Sequence, residues 1–306
     1  GTQVTIGKEN WLYEKAYLEK LNVPAKDNGT KIQEQAKWLR ILQDRLADKG
    51  IGFVFVIAPS KAAVYPEYIR DKHRTPPLPK GVETDYEQAI KALQHHGVNF
   101  VDSHDLFMRE KREKKYQLFG PSGTHWNKYG AYLVWQSIAD TVHGQVSPPL
   151  QIPSPVGIEK RPSEEVEADL GVLLNLWDTR LSTPMTDYPV FEQQQMQTEK
   201  PRILLVGDSF LFTLVDIIKR ADLSANVDAW YYFKRHFYYP TKNGQLVDLA
   251  GATETPMAKN SIDWQNQFFN KDLIILVETQ QWLPDVGFGF VQGALEAIEQ
   301  KTNEKL

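Results

Sequence analysis

The segment that most constrains the fold is Arg202-Ile203-Leu204-Leu205-Val206-Gly207-Asp208-Ser209-Phe210. Its aliphatic run stops at Gly207, and Leu211, Leu214, Val215 and Ile218 follow at helical spacing. A short continuous apolar run of this kind reads as a buried strand, and the spacing after it reads as a helix. Ser209 therefore stands at a strand-to-helix turn outside the carboxyl end of a strand, where open α/β sheets bind ligands. Free backbone N–H groups at a helix start favour a developing negative charge. A serine there can attack an acyl carbon while neighbouring groups of the turn, Asp208 and Phe210, help to hold the oxyanion or substrate. The plainer alternative is a helix N-cap, a role that Asp and Ser both favour.

A second segment, Ser122-Gly123-Thr124-His125-Trp126-Asn127, ends just before Ala131, Val134, Ile138 and Val142, with Gly144 closing that pattern. His125 is thus expected on a loop end before a helix, within reach of a serine on another loop. Gly-Asp-Ser-Phe and Thr-His-Trp-Asn together resemble the SGNH-hydrolase-like domain of the alginate O-acetyltransferase family, exported bacterial proteins that acetylate polysaccharides or related surface glycans. The opening Gly7-Lys8-Glu9-Asn10-Trp11-Leu12-Tyr13, the segment Pro59-Ser60-Lys61 with the Tyr65-Pro66-Glu67 after it, and Asp169-Leu170 are similar to further family segments. The resemblance implies Ser209 as nucleophile and His125 as its base. It also implies an acyl donor and a polysaccharide acceptor as substrates. A membrane-bound acyltransferase or export complex would be a partner. The family's Asp two residues before the His is replaced here by Gly123. The group that orients His125 is then a backbone carbonyl, a water, or an acid from the Asp102–Asp105 loop or from Glu278.

The rest of the chain repeats helix and strand. A helix is expected over 31–48, a doubly buried strand over 53–57, and a capping box at Thr84 and Glu87 opens another helix. A strand over 98–102 follows, and Leu273 to Val277 forms a last strand before a helix from about 290 to 301. Right-handed crossovers at this spacing give a three-layer α/β/α sandwich with a mostly parallel sheet. The prolines and acids of residues 145–200 interrupt the rhythm and read as an excursion or lid on a single domain spanning 1–306. Val227 to Tyr239 is the densest aromatic and basic patch. Arg235 and Tyr238 in it are candidates for oxyanion or glycan contacts, or else mark a strand with a basic edge. Lys61 reads as a solvated loop lysine.

Composition narrows the remaining choices. With 306 residues, 42% hydrophobic and 24% charged, the chain is an ordinary globular one. A net charge of −4 argues against nucleic acid but not against an anionic polysaccharide held in a local basic groove. The absence of cysteine excludes disulfides and thiolate metal sites, and no His or acid cluster has metal-ligand spacing, so no cofactor is expected. No run reaches the roughly 18 apolar residues of a membrane span. The start at Gly1 without methionine is expected of a mature form whose export signal or anchor has been removed, which fits a periplasmic or extracellular protein. An acetylesterase or deacetylase of the same fold, or a catalytically silent glycan-binding module, are the competing readings.

Overall fold

The computed structural model describes residues 3–25, 28–113, 115–174, 184–192, 199–258 and 262–303. A hairpin of β1 (Val4–Ile6) and β2 (Leu12–Glu14) leads into the short helix α1 (Lys15–Glu19). Then come α2 (Gly29–Ala47), β3 (Gly52–Ala58), the single turn α3 (Lys61–Val64), α4 (Asp85–His96) and β4 (Phe100–Asp102). Helices α5 (Ser103–Glu113) and α6 (Lys128–Thr141) precede a hairpin of β5 (Gly157–Pro162) and β6 (Met185–Val190), with α7 (Asp169–Leu173) between its strands. The serine unit is β7 (Arg202–Gly207) and α8 (Leu211–Arg220). Strands β8 (Asn226–Tyr231) and β9 (Arg235–Tyr239) follow, with a small ribbon of β10 (Thr241–Lys242) and β11 (Gln245–Leu246). The chain closes with β12 (Thr253–Pro256), β13 (Leu273–Thr279) and α9 (Phe290–Asn303).

The central sheet has seven strands in the order β12-β9-β8-β7-β13-β3-β4. The five from β8 to β4 are parallel, and β9 and β12 extend the β8 edge by antiparallel pairing. Both faces are covered, so the central strands are apolar throughout and alternate between two cores. Val54, Val56, Ile203, Leu205, Ile275 and Val277 face one core, shared with α6 and α8. Phe53, Phe55, Leu204, Val206, Ile274 and Leu276 face the other, shared with α2, α4 and α9. Each such aliphatic side chain, wholly buried, stabilises the fold by about 1.5–3 kcal/mol.

Local signals in the sequence explain the element ends. Thr84 and Glu87 form the capping box at the start of α4, and Gly97 ends that helix in the left-handed conformation. The aromatic patch splits into two strands, because Tyr232 and Phe233 both adopt positive φ and make a tight β8–β9 turn. At the centre, Gly207 lets β7 approach β13: a Cβ there would overlap the carbonyl oxygen of Val277. The chain reverses from β3 and β4 on one side of β13 to β7 and β8 on the other. That arrangement opens a crevice at the carboxyl ends of these strands.

Candidate active site

Ser209 and His125 meet at this crevice. Nε2 of His125 lies 2.6 Å from Oγ of Ser209, a strong hydrogen bond by length. The serine hydroxyl is therefore not a helix cap. Asp208 takes the local capping role, accepting the Phe210 N–H at 3.1 Å. Its other oxygen accepts the Thr279 N–H at 2.8 Å and the Thr279 hydroxyl, tying the Ser209 turn to the end of β13. Burial raises the pKa of Asp208 despite these donors.

His125 is held from both sides in sequence. Trp126 pairs in a β-bridge with Phe119, and its indole N–H donates to Thr213 in α8 at 2.6 Å. Asn127 caps α6 by accepting the Gly130 N–H at 2.8 Å, and its amide donates to Gln117 and Thr186. The Phe210 ring fills the space between His125 and Trp126, with centroid distances of 4.7 and 4.9 Å.

The other ring nitrogen, Nδ1, faces two acceptors: the Val166 carbonyl at 3.1 Å and the Asp169 carboxylate at 3.4 Å. Asp169 is itself fixed at the start of α7, where its Oδ1 accepts the N–H of Thr124 at 2.7 Å and of Leu170 at 2.8 Å. None of the acids expected from the sequence reaches the ring. Asp102 accepts from Tyr86 and caps α5, Asp105 pairs with Arg109, and Glu278, near the end of β13, is buried and accepts from Gly287 N–H. The carboxylate comes instead from the 145–200 excursion, whose backbone at Glu167 lies directly over Gly123. Only a glycine tolerates that approach.

The electrostatics follow from this packing. Burial of His125 opposes its protonation, but Asp169 and the Val166 carbonyl outweigh it and raise the pKa. Burial likewise opposes the charge of Asp169, yet His125 and the two N–H donors hold its pKa below the usual range. A third charged group supports the loop from below. Lys61 is only 3% exposed, not a solvated loop residue. It donates to the carbonyls of Gly120 at 3.1 Å and Pro121 at 2.9 Å, and to that of Gly123. Burial pushes its pKa down to about 7, while three carbonyl acceptors match the three donors of an ammonium.

Arg235 and Tyr238 are not drawn into this cluster. Arg235 lies on β9, two strands out from β7, and its guanidinium is taken by Glu254. Tyr238 points to the opposite sheet face, into a polar cleft with Asp228 and Lys271. In the sequence, Asp169 stands out only in the Asp169-Leu170 segment similar to the family's, with no role assigned to it. Its position at a helix start, a site that favours carboxylates, was the available signal.

A mostly parallel sheet in a three-layer sandwich, with a serine after one central strand hydrogen-bonded to a loop histidine, defines an SGNH-hydrolase-like domain. The sequence model of the family described as "SGNH hydrolase-like domain, acetyltransferase AlgX" matches residues 4–214, and the chain belongs to that family. Among curated proteins, the probable alginate O-acetylase AlgJ of Pseudomonas putida is 28% identical over 142 residues, 46% of this chain and 34% of that protein. Its counterpart in Pseudomonas aeruginosa is 27% identical over 137 residues, covering 44% of this chain and 32% of that protein. The alignments thus span about a third of these relatives. Among solved structures, the O-acetyltransferase domain of P. putida AlgJ superposes with a TM-score of 0.53 at 18% identity, covering 96% of this chain and 99% of that one. Bacillus cereus PatB1 gives 0.51 at 13% identity, covering 92% and 96%. These likenesses are of fold.

Proposed function

We propose that this chain is a serine-dependent O-acetyltransferase that acetylates hydroxyls of an exported or cell-surface polysaccharide. The observation that carries the reading is the 2.6 Å contact between Ser209 Oγ and His125 Nε2, backed by Asp169 on Nδ1. Ser209 Oγ attacks the acyl carbon of the donor and its proton passes to Nε2. The donor's carbon–leaving-group bond breaks, and the leaving group takes that proton from the imidazolium. A sugar hydroxyl then gives its proton to Nε2 and attacks the acetyl-serine, restoring Ser209. Asp169 holds the ring's orientation and favours the imidazolium that forms in each half.

The Ser209 N–H donates to no acceptor among the described residues, whereas that of Phe210 is taken by Asp208. Ser209 N–H is thus the main-chain donor open to an oxyanion. Further support comes from the family and from relatives named as alginate O-acetylases. In this reading the chain is one domain, and residues 145–200 contribute its acid. We infer export, an acyl donor and a glycan acceptor on the same basis, with a membrane-bound acyltransferase or export complex as partner.

The test is incubation with p-nitrophenyl acetate, with and without an oligosaccharide, following nitrophenol and acetylated sugar together. Transfer to sugar is the expected result. Hydrolysis alone would make the chain an esterase, and neither reaction would leave it a glycan-binding module.

A further inference from the structure

Beyond the Ser209 turn, the segments that follow β13, β3 and β4 help to wall a cavity of about 570 Å³. Val277 pairs with Gly207 and Thr279 with Ala58, so Ser209, Thr279 and Ala58 stand level, and Ser60 on the cavity wall lies two residues beyond Ala58. Two strand spacings, about 10 Å, separate the strand that carries Ser209 from the one that leads to the cavity wall. An aromatic wall joins them. Tyr232, bonded through its N–H to the Gly207 carbonyl at 2.7 Å, meets Trp282 edge-on at 6.1 Å. Trp282 lies on the cavity rim and is 39% exposed.

The cavity is large enough for a bound small molecule or several sugar rings. Its lining includes the polar side chains of Asn22, Asn28, Thr84 and Gln280, which suits hydroxyl groups. Charge narrows the ligand further. Among the described residues, Asp85, Glu87 and Asp285 line the cavity together with one lysine, Lys20, which sits 5.2 Å over the Trp282 ring. Lys31, just outside the lining, offsets Asp285 only. At the serine end, Asp169 and Asp208 add negative charge, and buried Lys61 is turned toward backbone carbonyls. A polyuronate carries a carboxylate on every sugar and would be repelled along this path.

We infer that the acceptor is a glycan without net negative charge, seated in this cavity with a sugar ring against Trp282. The inference rests on the transferase reading for the word acceptor, but the site itself can be tested without catalysis. The Ser209→Ala protein is titrated calorimetrically with a neutral β-glucan oligosaccharide, a chitin oligosaccharide and an oligouronate of similar length. At least one uncharged oligosaccharide should bind at least about tenfold more tightly than the oligouronate at low ionic strength, the gap shrinking as salt is added. Adding Trp282→Ala should weaken that binding at least about tenfold, with circular dichroism checking that the fold is kept. Equal or tighter binding of the oligouronate, no binding of either uncharged oligomer, or binding indifferent to the Trp282 substitution would overturn the inference. Nitrophenol release by the unmodified protein reports on the catalytic reading separately.

Discussion

Gly123 lies so close to Glu167 that a Cβ on it would overlap the Glu167 backbone, carbonyl oxygen and Cα included. This packing leaves no room for a side chain at position 123, and Asp169 supplies the carboxylate at 3.4 Å from Nδ1 instead. Gly123→Asp should therefore not raise activity. The loop would have to move, dislodging His125 and costing at least about 1–3 kcal/mol as an overpacked site does. Esterase rate and denaturant midpoint measured on the variant decide this; a rate gain with an unchanged midpoint would contradict it.

Ser209→Ala should abolish nitrophenyl ester hydrolysis and acetyl transfer. Its effect on stability should be small, about 0.5–1.5 kcal/mol, because one hydrogen bond to His125 is lost and no cap is removed. Mass spectrometry should find an acetyl group on Ser209 of the unmodified protein and none at that position in the variant. Retained turnover would assign the nucleophile elsewhere.

Asp169→Asn tests the acid. The raised pKa of His125 means that activity, which needs the neutral ring, should fall on the acid side at a pH above 6.5. Replacing the carboxylate should move that limb to lower pH and lower the plateau by at least about 10²-fold. The stability contribution runs the other way. A folded-state pKa above the unfolded one stabilises below about pH 6.5 and is lost as pH rises through the folded value. A rate profile unmoved by the substitution would remove Asp169 from the mechanism.

Lys61→Met keeps the bulk of the side chain and removes all three donors to Gly120, Pro121 and Gly123. The Pro121 carbonyl keeps the Leu12 N–H, whereas those of Gly120 and Gly123 lose the ammonium, and a buried carbonyl left without its donor costs about 1–3 kcal/mol. We expect a loss of at least about 2 kcal/mol in chemical unfolding, together with a lower turnover as the His125 loop loses its support. Unchanged stability would mean that water replaces the ammonium without penalty.

The main frame was legible because its signals are local. An aliphatic run broken by Gly207, helical spacing after Ser209 and the Thr84–Glu87 box each specify an element within a few residues. Ser209 and His125 were visible for the same reason, each at the end of an element. Asp169 and Lys61 were not, since their roles depend on contacts made across the fold. The cavity charge is hidden in the same way, because Asp85, Glu87 and Asp285 gather at one rim from distant segments. Net charge of the whole chain says nothing about such a local excess.

The link between Asp208 and Thr279 separates the site into two mechanical parts. Ser209 belongs to the sheet, pinned where β7 and β13 touch, whereas His125 and Asp169 belong to segments laid over it. Covering segments open at lower free energy than central strands do. Heating should accordingly silence the protein in a distinct early step, with ester hydrolysis lost several degrees before far-ultraviolet circular dichroism records melting. On cooling from that interval, turnover should return at the rate at which the covering layer reseats, because Ser209 never left its place.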